Sequence, residues 1–585
     1  MPLRERGGER DPSQLQQTAA RVGLGPMAVR LLQARGIASD EALRRAAAPR
    51  LADLRAPERM AGFPAALDLL LWAHRARVPV GVFGDYDVDG VTTATILAGY
   101  LEALGLRVVV RVAHREHGYG LSVADAEAFA TAGAKLLLTG DTGTSDVEAL
   151  AHARARGLRA VVIDHHQVPE QMPPADALIN PHQRACEFPF KGLCSAGVAF
   201  YLCAALRTRL GAAARPPDPR GLLDLVAVAT ICDMMPLVEE NRVLVARGLA
   251  LLRVAPRPGL RALLERASPG NESPLDEQTV GFTIGPRLNA PGRLGSAEPS
   301  LRLLRARTLA EAQPLAEQVE GMNQQRKALS EQAVTQALAT LPPAPLPAAV
   351  CVADVAWAPG IVGLVAGALA ERVRRPAIAL AIDAARGVAR GSVRSFGGVD
   401  VRAALSSCAP LLERFGGHRE AAGLTVAVDR LDALRDAFAT ACAAQAPSSE
   451  PDAVLHDGRL RLSRLDLAFV EGLAGLGPYG VGFPAPRFLG RARVLSMRVL
   501  KQRHLALRLG DDGAEIDAIA FGQAPPTASA GDGSPPAAAA AAPLAPGATI
   551  EFLFAPSLDV FRGQRRVRVV IEQLWCCDAA GGDGL

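Results

Sequence analysis

The chain has 585 residues, 49% of them hydrophobic, and a formal net charge of +4 at pH 7. That length exceeds one hydrophobic core and implies several domains, while the apolar content excludes a wholly disordered chain. The near-balance of charge excludes a polycation that coats nucleic acid and confines any such contact to a local patch; 4% aromatic residues leave few stacking platforms.

Nine cysteines are scattered without a CxxC pair, which argues against a zinc ribbon or finger. The N-terminus, MPLRERGGERDPSQ, lacks an apolar signal core, and no uninterrupted apolar run reaches about 18 residues. The expectation is a soluble cytoplasmic monomer with no membrane partner.

Residues 1–77 form an N-terminal region with apolar positions at helical spacing over 15–75. From 78 to 250 short apolar strands (VPVGVF, RVVVRV, AKLLLTG, RAVVID) alternate with helical stretches, which predicts a parallel sheet covered by helices. Residues 251–342 read as a helical connector, with a long charged helix over 299–341 that Pro314 is expected to break, and PPAPLP marks its end. Residues 343–445 are again mixed α and β. Residues 453–580 carry short strand signals (HLALRLG, TIEFLFA, RVRVVIEQL) and read as a small β-barrel. Within it, the low-complexity insert 524–546 reads as a disordered surface loop.

Chemistry concentrates at the strand ends of the first α/β region. GDYDVDG places Asp85, Asp87 and Asp89 after VPVGVF. Alternate residues of an extended segment point the same way, so the three carboxylates are expected to converge, which they tolerate only around cations. LLLTGDTG adds Asp141, AVVIDHHQ adds Asp164, His165 and His166, and ATICDMMPL adds Asp233. A single strand-end aspartate is usually a turn or cap residue; the ordered conjunction is what carries weight. Oxygen donors with imidazole suit Mn²⁺, or Mg²⁺ with its waters, and this many acids suit two ions about 3.5–4 Å apart, an arrangement used for phosphoryl displacement. No P-loop or EF-hand pattern occurs.

GDYDVDG, TGDTG, IDHH and ATICDMMPL together resemble motifs I to IV of the DHH phosphoesterase superfamily. SVRSFGG (392–398) and FGGHREAAG (415–423) resemble its DHHA1-type second domain. LGPYGVGFPAPRF (476–488) resembles the entry into the OB domain of the superfamily's bacterial single-strand-specific exonucleases. HREHGYGL (114–121), GPRLNAPGRLG (285–295) and WAPGIVGLVAG (357–367) are similar to further segments of those enzymes, and the likeness runs from RGIAS (35–39) to near the C-terminus.

The resemblance implies an α/β fold: a parallel-sheet DHH domain and a smaller α/β DHHA1 domain joined by a long helix, plus a C-terminal OB-type β-barrel. It implies a metal-dependent exonuclease that degrades single-stranded DNA 5′ to 3′ to 5′-mononucleotides in repair and recombination. Asp87, Asp89, Asp141, His165 and Asp233 would hold two Mn²⁺ or Mg²⁺ ions, with Asp141 as the bridge. Asp85 would be a ligand or orient water, Asp164 would orient an imidazole, and His166 would contact the scissile phosphate. Arg115, Ser392 and Arg394 would hold the 5′-phosphate, and His418 would face the metals across a cleft. Arg503 and His504, with Arg493, Lys501, Arg562, Arg565 and Arg566, would supply the barrel's DNA-binding charge. The resemblance further implies single-strand binding protein and a RecQ-type helicase as partners. The rival readings are a DHH-type RNA or oligonucleotide phosphodiesterase, which the barrel and length oppose; a non-catalytic DHH-derived scaffold, which the intact acids oppose; and a family II-like pyrophosphatase, which would have histidine at Phe83. Departures from the family pattern are Ala358 for histidine, Phe483 for asparagine, SAGVAF at 195–200, and TGDTG in place of a valine–Asp–cysteine sequence.

Overall fold

The apolar runs that alternate with helical stretches do become parallel strands, and the most apolar are buried on both faces. In the computed structural model, which describes residues 3–576 apart from 9, 116–117, 119, 255, 268–274, 344, 446–452, 524–543 and 562–563, the chain opens with β1 (Leu3–Glu5). Three helices follow, α1 (Pro12–Val22), α2 (Pro26–Ala34) and α3 (Asp40–Ala47), and then α4 (Phe63–Ala76). The first sheet region runs β2 (Val80–Gly84), α5 (Val88–Ala103), β3 (Val108–Val112), α6 (Val123–Thr131), β4 (Leu136–Gly140), α7 (Val147–Ala155), β5 (Arg159–Ile163) and β6 (Ala177–Ile179). Helices α8 (Ser195–Leu210), α9 (Leu223–Cys232) and α10 (Glu239–Val254) complete it.

All five strands are parallel, in the order β3-β2-β4-β5-β6. The chain leaves β2 for one neighbour and returns to the other side for β4, so the carboxyl ends of β2 and β4 flank a topological switch point, the usual ligand site of such sheets. Every residue of β2 and β4 is buried. Phe83 lies in this core, edge-on to Phe129 at 6.4 Å.

The connector comprises α11 (Pro258–Ala267), a π-helical turn (Thr279–Ile284), α12 (Gly285–Leu294), α13 (Glu298–Arg305) and α14 (Leu309–Ala339). Pro314 does not break α14, contrary to the sequence expectation. The proline falls early in the helix, where one lost N–H bond is offset by the packing of Ala312 and Ala316 against the sheet domain. The real interruption is at residues 306–308, where Thr308 accepts from the Glu311 N–H and caps the new helix.

The second α/β region contains β7 (Val350–Asp354), α15 (Val362–Val373), β8 (Ala377–Asp383), β9 (Val388–Arg394), α16 (Val401–Ser407), β10 (Leu412–Gly417), β11 (Ala421–Ala427) and α17 (Leu431–Ala443). Its sheet has the order β10-β11-β9-β8-β7. After β12 (Val454–His456) and α18 (Leu467–Gly475), strands β13 (Phe488–Leu500), β14 (His504–Asp511), β15 (Ala514–Ala520), β16 (Thr549–Phe561) and β17 (Gln564–Cys576) close into a barrel. Most of the low-complexity insert, residues 524–543, lies outside the described residues, as do Arg562 and Cys577.

The N-terminal helices do not form a core of their own. Val29, Leu32 and Leu43 share one apolar cluster with the barrel's Phe488, Phe552 and Phe554, whereas Phe63 and Leu70 of α4 belong to the first sheet domain. β1 pairs in parallel with β12, so residues 3–5 and 454–456 are hydrogen-bonded neighbours. Among the described residues no helix is long and apolar enough to cross a membrane.

Candidate metal centre

The parallel ladder itself brings the strand-end acids together. The Asp85 N–H donates to Gly140 O (3.2 Å), that of Asp141 to Ile163 O (2.9 Å), and that of Asp164 to Ile179 O (3.0 Å). The three aspartates are therefore successive rungs just past the ends of β2, β4 and β5, on adjacent strands about 4.8 Å apart. Asp141 adopts a left-handed backbone with φ of 63°, a strained conformation that asparagine and aspartate accept more readily than most residues.

Alternation along an extended segment does not explain the DYDVD acids. Asp85 extends the strand, Asp87 is the N-cap of α5 and accepts from the Gly90 N–H at 3.0 Å, and Asp89 lies in the first helical turn. A Cβ at Gly90 would come within 2.4 Å of the Asp85 nitrogen, so only glycine permits so tight a turn from strand to helix. Asp89 accepts from the N–H groups of Ser195 (2.7 Å) and Ala196 (2.9 Å) at the start of α8, where the helix dipole favours an anion. The SAGVAF segment thus serves the site through its backbone.

His165 Nε2 lies centrally, 3.1 Å from Asp141 Oδ1, 3.3 Å from Asp233 Oδ2 and 3.8 Å from Asp89 Oδ2. Asp164 holds the other imidazole: its Oδ1 is 2.7 Å from His166 Nδ1 and accepts the backbone N–H groups of His165 and His166, while Oδ2 accepts from the Thr144 N–H. The site offers three overlapping donor sets with ligand atoms mutually within 4.8 Å: Asp85, Asp87 and Asp141; Asp89, His165 and Asp233; and Asp141, His165 and His166. Asp141 and His165 each belong to two sets.

The electrostatics are those of a site built for cations. Burial, then the negative charge of Asp87, raises Asp85 well above the ordinary carboxylate range. Burial and the surrounding aspartates do the same to Asp141. Asp233 is pushed up to about 8 by burial, then by Asp89 and Asp87. Its place at the C-terminal end of α9 is also the wrong end of a helix for an anion. Burial lowers His165, a direction that favours the neutral imidazole a metal ligand must present. Asp164 is the exception: burial would raise it, but the His166 hydrogen bond and charge outweigh burial and lower it, and His166 rises correspondingly to about 9. Asp85 Oδ1 and Asp233 Oδ2 are buried without a hydrogen-bond partner. Orphaned carboxylate oxygens among like charges fit hard divalent cations; they do not fit a site that is complete without them.

The remaining candidates lie outside the three donor sets. The Arg115 guanidinium lies 4.0 Å from the centroid of the Tyr86 ring and its Nε donates to Gly292 O at 2.8 Å, so it is pinned between the DYD loop and α12. A Cβ at Gly292 would come within 2.3 Å of Tyr86 O, which accounts for glycine at that contact. Ser392 and Arg394 share β9, and Arg394 Nη1 donates to Ser392 Oγ and to Val393 O. His418 is exposed in the β10–β11 turn, where its N–H donates to Ala421 O, and it joins none of the three donor sets. Arg503 is exposed in the β13–β14 turn; His504 Nδ1 accepts from the Gly522 N–H.

Sequence reasoning missed several contributors. Asn180 is fully buried and donates to Thr144 Oγ1 (3.1 Å) and His166 O (2.9 Å), tying the DHH loop to the loop after β4. Asp146 Oδ2 accepts from Thr142 Oγ1 and from the Leu121 N–H, tying the TGDTG loop to residues 120–121. The only signal for Asn180 was a polar residue directly after an apolar strand. Phe521, 54% exposed and edge-on to His504, is a barrel aromatic that sequence reasoning also overlooked.

A parallel sheet whose strand ends carry this carboxylate–imidazole cluster, followed by a second α/β sheet, defines a DHH-type phosphoesterase fold. Residues 79–230 match the DHH family, N-terminal domain, residues 347–444 the DHHA1 domain, and residues 456–573 the RecJ OB domain. The single-stranded-DNA-specific exonuclease RecJ of Dickeya dadantii is 36% identical over 541 residues, 88% of this chain and 91% of that one. The solved structure of Thermus thermophilus RecJ with Mn²⁺ superimposes with a TM-score of 0.78 at 30% identity, covering 100% of this chain and 80% of that one. Its Mg²⁺ complex gives a TM-score of 0.73 at 28% identity, covering 99% and 78%. The chain belongs to the RecJ family of single-stranded-DNA-specific exonucleases.

Proposed function

We infer that this protein is a metal-dependent exonuclease that degrades single-stranded DNA from the 5′ end and releases 5′-mononucleotides, acting in repair and recombination. The observation that carries the reading is the convergence of Asp85, Asp87, Asp89, Asp141, His165 and Asp233, with two orphaned carboxylate oxygens, at the switch point of the sheet. These residues would hold two Mn²⁺ or Mg²⁺ ions, Asp141 facing both. When bound, the ions supply Lewis-acid charge that polarises the scissile phosphate and makes an attacking water acidic. His166, whose Nδ1 pairs with Asp164 and whose pKa is raised to about 9, would donate a hydrogen bond to a phosphate oxygen. Asp89 keeps its donor atoms fixed through the two α8 amides, and Asn180 keeps the DHH loop from shifting.

Arg115, Ser392 and Arg394 would hold the terminal 5′-phosphate, because guanidinium binds phosphate bidentately. His418 would approach the metals from the second sheet domain, and the barrel would grip downstream DNA through Arg503, His504 and neighbouring arginines. We place the protein in the cytoplasm as a monomer, with single-strand binding protein and a RecQ-type helicase as partners. The test uses two otherwise identical single strands, labelled at the 5′ or the 3′ end, and a duplex control, incubated with Mn²⁺, Mg²⁺ or EDTA beside Asp141→Ala. Immediate release of the 5′ label as a mononucleotide, only with metal and only from single strands, is expected. Metal-independent binding without cleavage would instead make the protein a scaffold.

A further inference from the structure

The carboxyl edge of the first sheet carries the metal centre on its middle strands and a polar group on each flank. In the strand order β3-β2-β4-β5-β6, Asp85, Asp141 and Asp164 follow β2, β4 and β5. Arg115 lies three residues past the end of β3, on one flank. On the other flank β6 ends at Ile179, and His182 lies three residues past it. The strand that carries the DHH residues is the immediate neighbour of β6, about 4.8 Å away.

Hydrogen bonds fix His182 against that neighbour. Asn180 Nδ2 donates to His166 O at 2.9 Å, and Asn180 Oδ1 accepts from the His182 N–H at 2.9 Å. One buried amide therefore ties the backbone of His182 to that of His166. Gln183 closes the turn from the far side: its N–H donates to Asn180 O at 3.1 Å and its Nε2 to Leu178 O at 2.8 Å. Asn180 and Pro181 are buried, whereas His182 is exposed. Among the described residues its ring has no hydrogen-bond or ion-pair partner. An exposed histidine is by itself ordinary surface. This one is an open imidazole on a braced turn, one strand from the metal ligands, which is how a substrate contact is preorganised. Lys191, Asp164 and His166 are the charged groups that act on the ring, and Lys191 Nζ is itself held by Cys186 O at 2.7 Å. A ring N–H at such a rim suits the acceptor oxygens of a phosphodiester.

We propose that His182 binds the phosphodiester that follows the scissile one, on the 3′ side of the metal centre. The proposal rests on the exonuclease reading, in which Arg115 takes the 5′-phosphate. A strand laid along the carboxyl edge then meets Arg115, the metal centre and His182 in that order, so the β6 flank is the downstream one. His182 is a substrate-binding residue here, and Asn180 positions it.

The test uses full-length protein with Mn²⁺ and 5′-phosphorylated single strands in which one linkage, the second or the fifth, is an uncharged methylphosphonate. Removal of the first nucleotide is measured. With the all-phosphate strand, His182→Ala is expected to raise KM about tenfold with kcat unchanged, the mark of a contact made equally in ground and transition states. His182→Gln keeps an N–H donor and is expected to recover most of the loss. A methylphosphonate at the second linkage is expected to cost wild type a similar factor and His182→Ala nothing further. At the fifth linkage the variant is expected to keep its full tenfold defect. Melting temperatures should match wild type, because the side chain is exposed. If His182→Ala leaves KM unchanged, or if its loss multiplies with that of the second-linkage methylphosphonate, His182 does not hold that phosphate and the exonuclease reading stands. A loss that only follows a lowered melting temperature would make the residue structural and overturn the proposal equally. If wild type does not cleave the all-phosphate strand, the exonuclease reading falls and this contact with it.

Discussion

Single side chains in the metal centre make predictions whose sign follows from their environment. Asp85 and Asp141 lie well above the ordinary carboxylate range and Asp233 near 8, because burial and mutual repulsion favour the protonated forms. Cations must displace those protons, so Mn²⁺ affinity should rise with pH between 6 and 8, by about tenfold per unit for each proton displaced. Calorimetry in two buffers of different ionisation enthalpy measures the release, and a pH-independent affinity would sink the account. Stability follows with a defined sign. A carboxyl raised in the folded state above its unfolded value weighs against folding as pH climbs from the unfolded pKa through the folded one. The metal-free protein should therefore carry a larger penalty at pH 8 than at pH 6, and Mn²⁺ should raise its melting temperature more at pH 8. Asn180 acts through neighbours. Asn180→Ala leaves Thr144 Oγ1 and His166 O without its amide, which should cost about 1–3 kcal/mol of stability and lower kcat more than it raises KM. Urea unfolding beside steady-state kinetics measures both.

At the scale of elements, the strands and the acids at their ends were legible because both signals are local: an apolar run, then a polar residue where the run stops. The ladder then aligns Asp85, Asp141 and Asp164 without further instruction. What was not legible is pairing across distance. Nothing near Asp89 announces that its carboxylate accepts two amides from α8, more than a hundred residues on, and no periodicity distinguishes a proline that α14 tolerates from one that ends it. The DYDVD acids showed the same limit, since their alternation suggested one extended segment and the chain turns into a helix after two of them. The division between Asp85 and Asp89 is open to measurement in EDTA at pH 8. Asp85→Asn should raise the melting temperature, because it replaces a buried orphan among like charges. Asp89→Asn should lower stability by about 1–3 kcal/mol, since an amide cannot accept both α8 N–H groups as a carboxylate does. Equal shifts of the same sign in the two variants would mean that Asp89 has no structural duty beyond metal binding.

Across the whole molecule, the two ends of the chain build one unit, and the first catalytic domain is bolted to it. Arg35 of the segment after α2 forms a fully buried bidentate pair with Asp457, at 2.9 and 3.2 Å, and donates to Pro484 O. Arg242 of α10 donates to Ala46 O of α3, to Pro478 O, and to Leu476 O and Gly477 O, with its guanidinium 4.0 Å from the centroid of the Phe483 ring. Tyr479 stacks on that ring at 5.7 Å, and Arg35 lies 5.5 Å from its centroid. Phe483, which departs from the asparagine common in the family, is thus buried packing at a junction of three parts of the chain. Ala358 is partly buried against the α14–α15 cluster, and nothing in the structure explains the alanine there. The junction predicts a cooperative loss. Asp457→Ala strands Arg35 in the interior and removes the carboxylate 3.5 Å from Arg6, a change that costs about 3–5 kcal/mol where a buried charge loses its partner. Because α1–α3 and the barrel share one cluster, residues 12–47 and 488–576 should become protease-sensitive together, while the two sheet domains keep their protection. Hydrogen exchange on the variant distinguishes the outcomes. Joint deprotection of both ends supports a single unit, and deprotection of the barrel alone would mean that the N-terminal helices stand without it.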